Sequence, residues 1–470
     1  MRTATRRQVL KAGGAIAGAQ VLAPLAFRAG EAWGATGPDP ATANRLRLVL
    51  IDMGGGNDGL NTVVPQSGVL RDVYDKVRPV VKIAASSLLP LGATNGGTVG
   101  LNPYLPTVYQ LWQANRVAVV QGVDYPNHNY SHFTSNDIWQ AGNPDNIGDA
   151  GWLGRHLDRT GVPVDQIRAV GIGAVALPHA LRGDTYSGVV VNGFGATHFI
   201  DGTTPLATKR HEVYGRFAQH SALDVNRSAY GALCGATVRL DQETTGLSAA
   251  QPGGLANLLL TARTLMTADL GVEVVFVSTG GYDTHASQLP LQEQLFTDLD
   301  QGLEAFFFGT RGGAPITVGG TPGNGLPDPV GTPDVPGTPI GPLDPAIADR
   351  TLVMTFSEFG RRIGDNASGT DHGAAAPLFL IGPPPPLPGS GAVTLVPGLH
   401  GDHPSMGTVA LPADNLTMTT DIRTVYQAVL KNWVNDPTGP SPDTGDAHFS
   451  GVTGTGVGPD GELSGLFATA

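Results

Sequence analysis

The sequence predicts an α/β fold in which a doubly wound, mostly parallel sheet is flanked by helices. Three apolar, β-branched runs at residues 45–52, 272–278 and 351–356 have the length and composition of buried strands. Amphipathic stretches typical of helices, such as residues 289–308, separate the strand patterns along the chain. In an open sheet of this kind, ligands bind beyond the carboxyl ends of the strands, so the residues that follow each strand are the candidates for chemistry.

The composition narrows the range of partners. Only 14% of the 470 residues are charged, and the formal net charge is −12. This acidic balance argues against nucleic acid and against an anionic membrane surface as partners. Cys234 is the single cysteine, which excludes an intrachain disulfide and a thiolate metal cluster. Because its neighbours are small and apolar, we interpret Cys234 as a core thiol.

Residues 1–35 have the features of a twin-arginine signal peptide. Arg6 and Arg7 form the arginine pair, a weakly apolar Ala/Gly-rich run follows, and Ala32-Trp33-Gly34 offers a cleavage site. An N-terminal membrane anchor is the alternative, but Pro24 interrupts the apolar run. We therefore expect export by the twin-arginine pathway to the periplasm or the cell exterior, with no integral membrane span after signal removal.

Residues 36–470 are predicted to form a single domain. Residues 311–345 are rich in Gly, Pro and Thr and lack apolar periodicity, so they cannot build a core of their own. Because a strand pattern resumes at residue 351, we interpret this segment as a surface insertion within the domain rather than as a linker between domains.

The first strand pattern, residues 45–52, ends at Asp52 and leads directly into a glycine-rich loop. Glycines at positions 54–56 allow the backbone to approach a bound group closely, and Asn57 after them is a candidate substrate-binding residue. Asp52 is a candidate metal ligand, and the alternative is a carboxylate satisfied by the glycine amides. The spacing does not match a dinucleotide-binding fingerprint.

A helix is predicted at residues 103–115 and a strand at 117–122, and a segment rich in hydroxyls and histidines follows. Ser131 and Ser135 precede an amphipathic run, so both are candidate N-caps, with Ser135 the stronger of the two. Ser131 is equally a candidate nucleophile, because the dipole of a helix favours an alkoxide at its N-terminus. His132 beside it is a candidate for proton transfer.

Two short strand patterns, at residues 167–173 and 188–192, enclose Arg182. This side chain is a candidate clamp for an anionic substrate, and the alternative is a solvated surface arginine.

The strand pattern at residues 272–278 leads into Asp283 and His285. Residues two apart in an extended segment point to the same side, so these two side chains can bind one ion. Oxygen and imidazole ligands together suit Zn, Mn or Fe. Helical patterns at residues 255–268 and 289–308 lie on either side of this segment.

The strand pattern at residues 351–356 is followed by Glu358, and the polar loop behind it carries Asp371 and His372. All three side chains are candidate metal ligands, because a strand end bearing carboxylates and an imidazole is where such a sheet places its chemistry.

Two further elements are predicted near the end of the chain: a strand at residues 378–382 and a helix at 421–433 that begins with Asp421. Between them, a Gly-Leu-His-Gly-Asp-His-Pro segment offers three more side chains as a ligand or a base, namely His400, Asp402 and His403.

Six motifs in this order resemble the family known as domain of unknown function 1501, whose members are bacterial proteins exported by the twin-arginine pathway. The motifs are Asp52-x-Gly-Gly-Gly-Asn57-Asp58-Gly-Leu-Asn61, Ser131-His132-Phe133, Tyr282-Asp283-Thr284-His285, Ser357-Glu358-Phe359-Gly360-Arg361, Thr370-Asp371-His372-Gly373 and Asp421-Ile422-Arg423. The resemblance spans essentially the whole mature chain. That family is in turn similar to the alkaline phosphatase and sulfatase superfamily, which implies a doubly wound α/β fold with metal at the strand ends.

The resemblance implies a role for each matched residue. Asp52 resembles the first metal aspartate of that superfamily, Ser131 its nucleophile, and Asp283 with His285 its Asp/His pair. His372 resembles a late metal histidine, with Asp371 beside it. One departure stands out, because the late strand ends in Glu-Phe-Gly at residues 358–360 where those enzymes have Asp-His-Gly, and phenylalanine cannot bind a metal.

The resulting hypothesis is an exported, metal-dependent hydrolase of phosphate or sulfate esters that binds one or two divalent ions (Zn, Mn, Ca or Mg). Its expected partner is a small anionic ester, and a protein partner is not indicated. The alternative hypothesis is a non-catalytic exported protein for binding or assembly on a hydrolase-like scaffold. Phe359 and the Gly/Pro-rich insertion favour this alternative.

Overall fold

The structure is a computed structural model. It describes residues 46–160, 168–174, 176–191, 254–267, 271–318, 338–383, 393–406, 411, 413–434, 446, 449, 452–453 and 456–469. The predicted signal peptide, Cys234 and the middle of the predicted insertion (residues 319–337) lie outside the described residues.

A nine-stranded sheet forms the centre of the described structure. In chain order its strands are β1 (Arg47–Met53), β2 (Val117–Asp124), β3 (Ala169–Ile172), β4 (Val189–Val191), β5 (Val274–Thr279), β6 (Thr351–Phe356), β7 (Ala376–Ile381), β8 (Gly398–His400) and β9 (Thr420–Asp421). The order across the sheet is β8-β2-β7-β6-β1-β5-β3-β4, and β9 pairs with β2. Every strand predicted from the sequence pattern is present, with bounds shifted by a few residues.

The direction of the strands confirms the predicted mostly parallel sheet. β6, β1, β5, β3 and β4 run parallel to one another, and β8 and β9 run parallel to β2. β7 is antiparallel to both of its neighbours, β6 and β2. The sheet is therefore mixed at one position only among the described strands, and the carboxyl ends of all the others lie at one edge.

Helices cover both faces of the sheet, as a doubly wound fold requires. The longer helices are α1 (Gly68–Val77), α2 (Pro106–Gln113), α3 (His132–Ala141), α4 (Trp152–Arg159), α5 (Leu255–Thr267), α6 (Gln288–Phe308) and α7 (Ile422–Asn432). Successive side chains of a strand point to opposite faces. Val49 and Ile51 of β1 thus pack with α2, α5 and α6, and Leu48 and Leu50 pack with α3, α4 and α7.

Smaller elements complete the described fold. Short helices occur at Gly59–Thr62, Ala85–Ser87, His179–Leu181 and Pro345–Ala348. A three-stranded sheet joins Val63–Pro65, Gly97–Leu101 and Leu89–Thr94. Four strand pairs are Thr310–Arg311 with Ala314–Pro315, Thr317–Val318 with Thr338–Pro339, Gly360–Arg361 with His372–Gly373, and Val393–Leu395 with Phe467–Thr469.

The start of α3 corrects one prediction. Ser131 occupies the N-cap position without a side-chain capping bond, and the helix begins at His132, so Ser135 lies inside the helix rather than at its cap. Ser135 is buried, and its hydroxyl donates a hydrogen bond to the backbone carbonyl of Glu358. The sequence pattern misplaced the cap by one turn because hydroxyl side chains occupy both positions.

Candidate metal centre

Three parallel, adjacent strands bring the candidate ligands to one edge of the sheet. Asp52 of β1 lies in register with Ser278 of β5 on one side and with Phe356 of β6 on the other. The loops that follow these strands carry the glycines at 54–56, then Asp283, and then Glu358. Segments far apart in sequence therefore converge because parallel strands end together.

A group of three side chains from separate elements has the geometry of a metal site. The ligand atoms of His132, Asp283 and His372 all lie within 4.8 Å of one another. His372 Nε2 is 3.0 Å from Asp283 Oδ1, and His132 Nε2 is 3.5 Å from Asp283 Oδ2. Two imidazoles and a carboxylate form a donor set that suits Zn²⁺ and related divalent ions.

The other nitrogen of each imidazole has an acceptor of its own. His132 Nδ1 is 2.9 Å from Glu358 Oε1, and His372 Nδ1 is 2.9 Å from the carbonyl oxygen of Tyr130. When Nδ1–H donates to such an acceptor, the lone pair of Nε2 is left for a metal, which is the usual arrangement behind metal-bound histidines. Both histidines therefore present Nε2 toward Asp283.

Glu358 is held behind His132 rather than in the group of three. Its side chain is buried, and its two oxygens accept hydrogen bonds from the Gly55 amide at 2.8 and 3.0 Å. This placement lets Glu358 orient the His132 ring, a role that differs from the direct ligation predicted from the sequence.

His285 and Asp371 extend the cluster on its other side. His285 Nε2 is 3.0 Å from Asp283 Oδ1 and 2.9 Å from His372 Nε2. His285 Nδ1 is 3.3 Å from Asp371 Oδ1. Asp283 Oδ1 is thus close to two imidazole nitrogens, and Asp371 adds a further carboxylate at this end of the cluster.

Asp52 provides the test of whether a cation fits here. It is 7% exposed, and its Oδ1 accepts no hydrogen bond from the part of the chain that the structure describes. Burial, followed by the charge of Glu358, raises the pKa of Asp52 well above its usual range, and a hydrogen bond from Asn136 opposes this. A buried carboxylate oxygen without a partner is costly, and a divalent ion would satisfy it. The donor set of His132, Asp283 and His372 fits a divalent metal, whereas Asp52 is a buried carboxylate at the end of β1 that is not in that group.

Arg361 supports the cluster from beneath, and its part was not recognised in the sequence. Its buried guanidinium donates to Asp283 Oδ1 at 2.8 Å and to four backbone carbonyl oxygens, those of Gly55, Gly56, Tyr282 and Thr370. Burial alone would raise the pKa of Asp283, but hydrogen bonds from Arg361 and His372 outweigh it and lower this pKa to about 2. The only hint of this role in the sequence was the position of a positively charged residue, Arg361, shortly after the strand β6.

Gln288 at the start of α6 connects the three ligand-bearing loops, and it too was missed. Its Nε2 donates to Asp58 Oδ2 in the glycine loop at 2.5 Å. Its Oε1 accepts bonds from the hydroxyls of Thr284 at 3.2 Å and Thr370 at 2.6 Å. Thr284 lies between Asp283 and His285, and Thr370 precedes Asp371. One buried amide thus holds the loops in mutual position.

Two predicted substrate contacts lie elsewhere. Asn57 is fully buried. Its backbone N–H donates a hydrogen bond to Ser357 Oγ at 2.8 Å, and its side-chain Nδ2 donates one to Thr62 Oγ1 at 2.9 Å. A substrate could reach Asn57 only if the loop opened, so its observed contacts are structural. Arg182 lies outside the group of three, in a separate cleft, where it donates to the carbonyl of Leu177.

The segment with His400, Asp402 and His403 does not join the cluster. His400 is on β8 and contacts the carbonyl of Val396, and His403 is buried against the carbonyl of Pro404. The rings of His400 and His403 are thus occupied by backbone carbonyls, and neither histidine belongs to the group of His132, Asp283 and His372.

Comparisons with known proteins add little to this picture. No protein-family model matches the chain, and no curated protein matches it. Among solved structures, that of the lipoteichoic acid synthase LtaP from Listeria monocytogenes is similar with a TM-score of 0.31 and 9% identity, over 91% of this chain and 80% of that one. A TM-score this low does not establish a shared fold. The resemblance to domain of unknown function 1501 stays a prediction.

The described helices were also compared with the length and hydropathy that a membrane span needs. Within the part of the chain that the structure describes, none of them reaches both.

Proposed function

We propose that this protein is an exported, metal-dependent hydrolase of phosphate or sulfate esters with an alkaline-phosphatase-like architecture. The observation that supports this most is the convergence of His132, Asp283 and His372, whose ligand atoms lie within 4.8 Å of one another at the carboxyl edge of a mostly parallel sheet. A mixed set of imidazole and carboxylate ligands in an open position is common to metal-assisted hydrolysis.

Three residues would hold the ion: His132, Asp283 and His372. We propose Asp52, at the end of β1, as a further ligand, and His285 and Asp371 as ligands of a second ion. A divalent ion there would polarise an oxygen of the ester and favour the deprotonated nucleophile. Its identity is proposed to be Zn, Mn, Ca or Mg. The side chains are open to solvent on one side, since Asp283 is 43% exposed, so a small anionic ester could reach them.

Ser131 is our proposed nucleophile. It is exposed, it occupies the N-cap position of α3, and its side chain makes no capping bond, so the hydroxyl is not committed to the helix. The N-terminus of α3 would stabilise negative charge on its oxygen. In-line attack by this oxygen would form a bond to phosphorus or sulfur while the bond to the leaving oxygen breaks. His132 or His372 would take the proton of the serine hydroxyl and return one to the leaving oxygen.

A second candidate function is a non-catalytic exported binding or assembly protein on a hydrolase-like scaffold, in which any bound metal serves the structure. Its support is Phe359, which is buried and packs its ring 4.4 Å from that of His372 and 5.0 Å from that of His132, measured between centroids. The phenylalanine takes up space beside the cluster where another ligand would serve catalysis.

Elemental analysis and activity assays on the protein purified from its exporting host test the proposal. We expect about one or two divalent ions per chain, and hydrolysis of generic phosphate or sulfate monoesters that chelation abolishes and metal restores. Asp283→Ala should lower turnover about a hundredfold or more. Asp75→Ala, which removes an exposed carboxylate of a surface ion pair, is the matched control and should have no effect.

The two functions give different results in this experiment. If chelation lowers the melting temperature but no ester is hydrolysed by the metal-loaded protein, the structural role is supported and the hydrolase is not. If the protein binds no metal at all, the metal-dependent hydrolase is excluded and the binding or assembly function is favoured. Export to the periplasm or beyond is part of the proposal. Cell fractionation of a variant with both Arg6→Lys and Arg7→Lys tests it. The double substitution should leave the signal peptide uncleaved and the protein inside the cell.

A further inference from the structure

A second cleft, of about 490 Å³, lies beside the metal cluster and has no role in the chemistry above. It is open to solvent and is lined by residues of α3, of the segment after β3 and of the end of β5. Its polar side chains are Asp137, Gln140, His179, Arg182 and Ser278. The residues of the metal cluster do not line it.

The cleft is within reach of the cluster. Ser278 is the register partner of Asp52 on the neighbouring strand, so the cleft begins one strand away from a candidate ligand. Helix α3 carries both His132 and Asp137, and five residues at 1.5 Å each separate them by about 7.5 Å along the helix axis. Five helical residues also turn by about 500°, so the two side chains point about 140° apart, and the link between cleft and cluster rests on the pairing of Ser278 with Asp52.

The polar groups of the cleft are of mixed character. Asp137 is 49% exposed and offers a carboxylate. Arg182 is exposed, and within the described residues its guanidinium donates one hydrogen bond, to the Leu177 carbonyl. His179 Nδ1 lies 3.7 Å from Asp137 Oδ1, and its Nε2 lies 2.7 Å from the Asp149 carbonyl oxygen. The cleft is therefore lined by both a strong hydrogen-bond donor, the Arg182 guanidinium, and a strong acceptor, the Asp137 carboxylate.

This mixture selects among ligand classes. An anion would meet the Asp137 carboxylate, and a cation would meet Arg182. An apolar group would remove both charges from water without hydrogen bonds, which is unfavourable. A neutral group with several hydroxyls avoids each cost, because every hydroxyl can donate to a carboxylate and accept from a guanidinium. The volume lies within the usual range of small-molecule sites, about 300–1,000 Å³.

We infer that this cleft binds a neutral, hydroxyl-rich moiety, such as a sugar ring, that belongs to the substrate whose ester group reacts at the metal cluster. The inference rests on the proposed function for the link to the ester, but the binding of the hydroxyl-rich group does not require a metal or turnover. Asp137 and Arg182 would then determine which moiety binds.

The test uses binding to the full-length mature protein after chelation, so that hydrolysis cannot contribute. The probes are methyl glucoside, methyl galactoside, methyl mannoside and sorbitol, observed by saturation-transfer NMR, with inorganic sulfate as the anionic comparison. We expect at least one neutral probe to bind with a dissociation constant on the order of 1 mM. Asp137→Ala and Arg182→Ala should each weaken this binding about tenfold.

Arg311→Ala is the matched control, because Arg311 also makes a single hydrogen bond from its guanidinium, to Gln301, and does not line the cleft. It should bind the probe like the unaltered protein. Three results would overturn the inference: no neutral probe binds, binding is unchanged in both cleft variants, or sulfate binds there in preference to every glycoside. Retained glycoside binding in a protein that hydrolyses no ester would refute the hydrolase alone.

Discussion

The guanidinium of Arg361 lies 2.8 Å from the carboxylate of Asp283. The side chain of Arg361 is fully buried, whereas that of Asp283 is 43% exposed. A buried cation thus holds a solvent-facing carboxylate from below. The hydrogen bonds that Arg361 makes to four backbone carbonyls join the glycine loop, the Asp283 loop and the late loop. The direction in which Asp283 faces is consequently set by all three loops together.

Arg361→Lys should therefore weaken both the fold and the metal site. A lysine keeps the charge but has three donors on one atom in place of a planar fork, so at least some of the four carbonyls lose their donor. We expect the free energy of unfolding to fall by about 2–4 kcal/mol and the metal affinity to fall by about 10–100-fold. Urea unfolding in chelator gives the first quantity, and competition with a chelating dye gives the second.

Arg71→Lys is the control for this substitution. Arg71 also makes several bonds, to Asp75 and to the carbonyls of Pro65 and Ile83, but it lies on α1 outside the cluster. Its loss should reduce stability without changing metal affinity. An Arg361→Lys protein that binds metal as tightly as the unaltered chain would show that Asp283 does not depend on this support.

A second prediction concerns the hydroxyl of Thr370. It donates to Gln288 Oε1 at 2.6 Å and is fully buried, one residue before Asp371. Thr370→Val keeps the shape and removes the bond, so we expect a loss of about 1–2 kcal/mol in the free energy of unfolding. Because the loop bearing Asp371 and His372 is then less well held, metal affinity should also fall by about tenfold.

Thr351→Val offers a matched control at the opposite end of β6. Thr351 is equally buried, and its hydroxyl donates to the carbonyl of Ile347 at 2.8 Å. The two variants should lose similar stability in urea, and only Thr370→Val should bind metal more weakly. Equal metal affinities in the two variants would contradict a positioning role for the Gln288 network.

Periodicity in the sequence was enough to predict the sheet and the edge at which the ligands meet. The three apolar runs that end near Asp52, Asp283 and Glu358 became adjacent parallel strands, and adjacent parallel strands end together. The direction of β7 was not predictable, because an apolar run of six residues looks the same in a parallel and an antiparallel strand.

The supporting residues could not be predicted for a different reason. Arg361 and Gln288 act through bonds to residues up to several hundred positions away, such as Gly56 and Asp58, and local pattern contains no such information. Residue type alone pointed correctly to histidines and aspartates as chemically capable. It could not distinguish His372, whose ring lies in the cluster, from His403, whose ring packs against a neighbouring carbonyl.

A third prediction tests the packing beneath the cluster. Gly56 has φ of +82°, and a Cβ added there would lie 2.1 Å from Cε2 of Phe359. Gly56→Ala must therefore displace the phenylalanine ring, which packs against His132 and His372, and we expect a loss of about 2–4 kcal/mol in the free energy of unfolding.

The double variant separates the clash from the backbone strain. In Gly56→Ala with Phe359→Ala the ring is absent, so the combined loss should be smaller than the sum of the two single losses by at least about 1 kcal/mol. The strain from the positive φ remains in both proteins that carry the Gly56→Ala change, so recovery should be partial. Strictly additive losses in urea unfolding would show that the ring is free to move aside.

A fourth prediction concerns pH and lies away from the cluster. Asp300 on α6 is buried, and its Oδ1 accepts bonds from the amides of Thr107 at 2.8 Å and Val108 at 3.1 Å in the first turn of α2. Burial raises the pKa of Asp300 to about 6, against the hydrogen bonds that lower it. An unfolded aspartate has a pKa of about 3.9, so between about pH 4 and pH 6 the folded state binds more protons at this site than the unfolded state.

The contribution of Asp300 to stability should accordingly fall as pH rises through this interval, by at most about 3 kcal/mol, and should be constant above it. Asp300→Asn keeps an oxygen to accept the two amide bonds and removes the buried charge. We expect the variant to be more stable than the unaltered protein by about 1–2 kcal/mol near pH 8 and similar to it near pH 4. Urea unfolding at several pH values in this range measures the difference.

Asp72→Asn, at an exposed position on α1, is the control and should leave the pH dependence of stability unchanged. If Asp300→Asn proved less stable than the unaltered protein near pH 8, the attraction between the carboxylate and the N-terminus of α2 would exceed the cost of burying its charge.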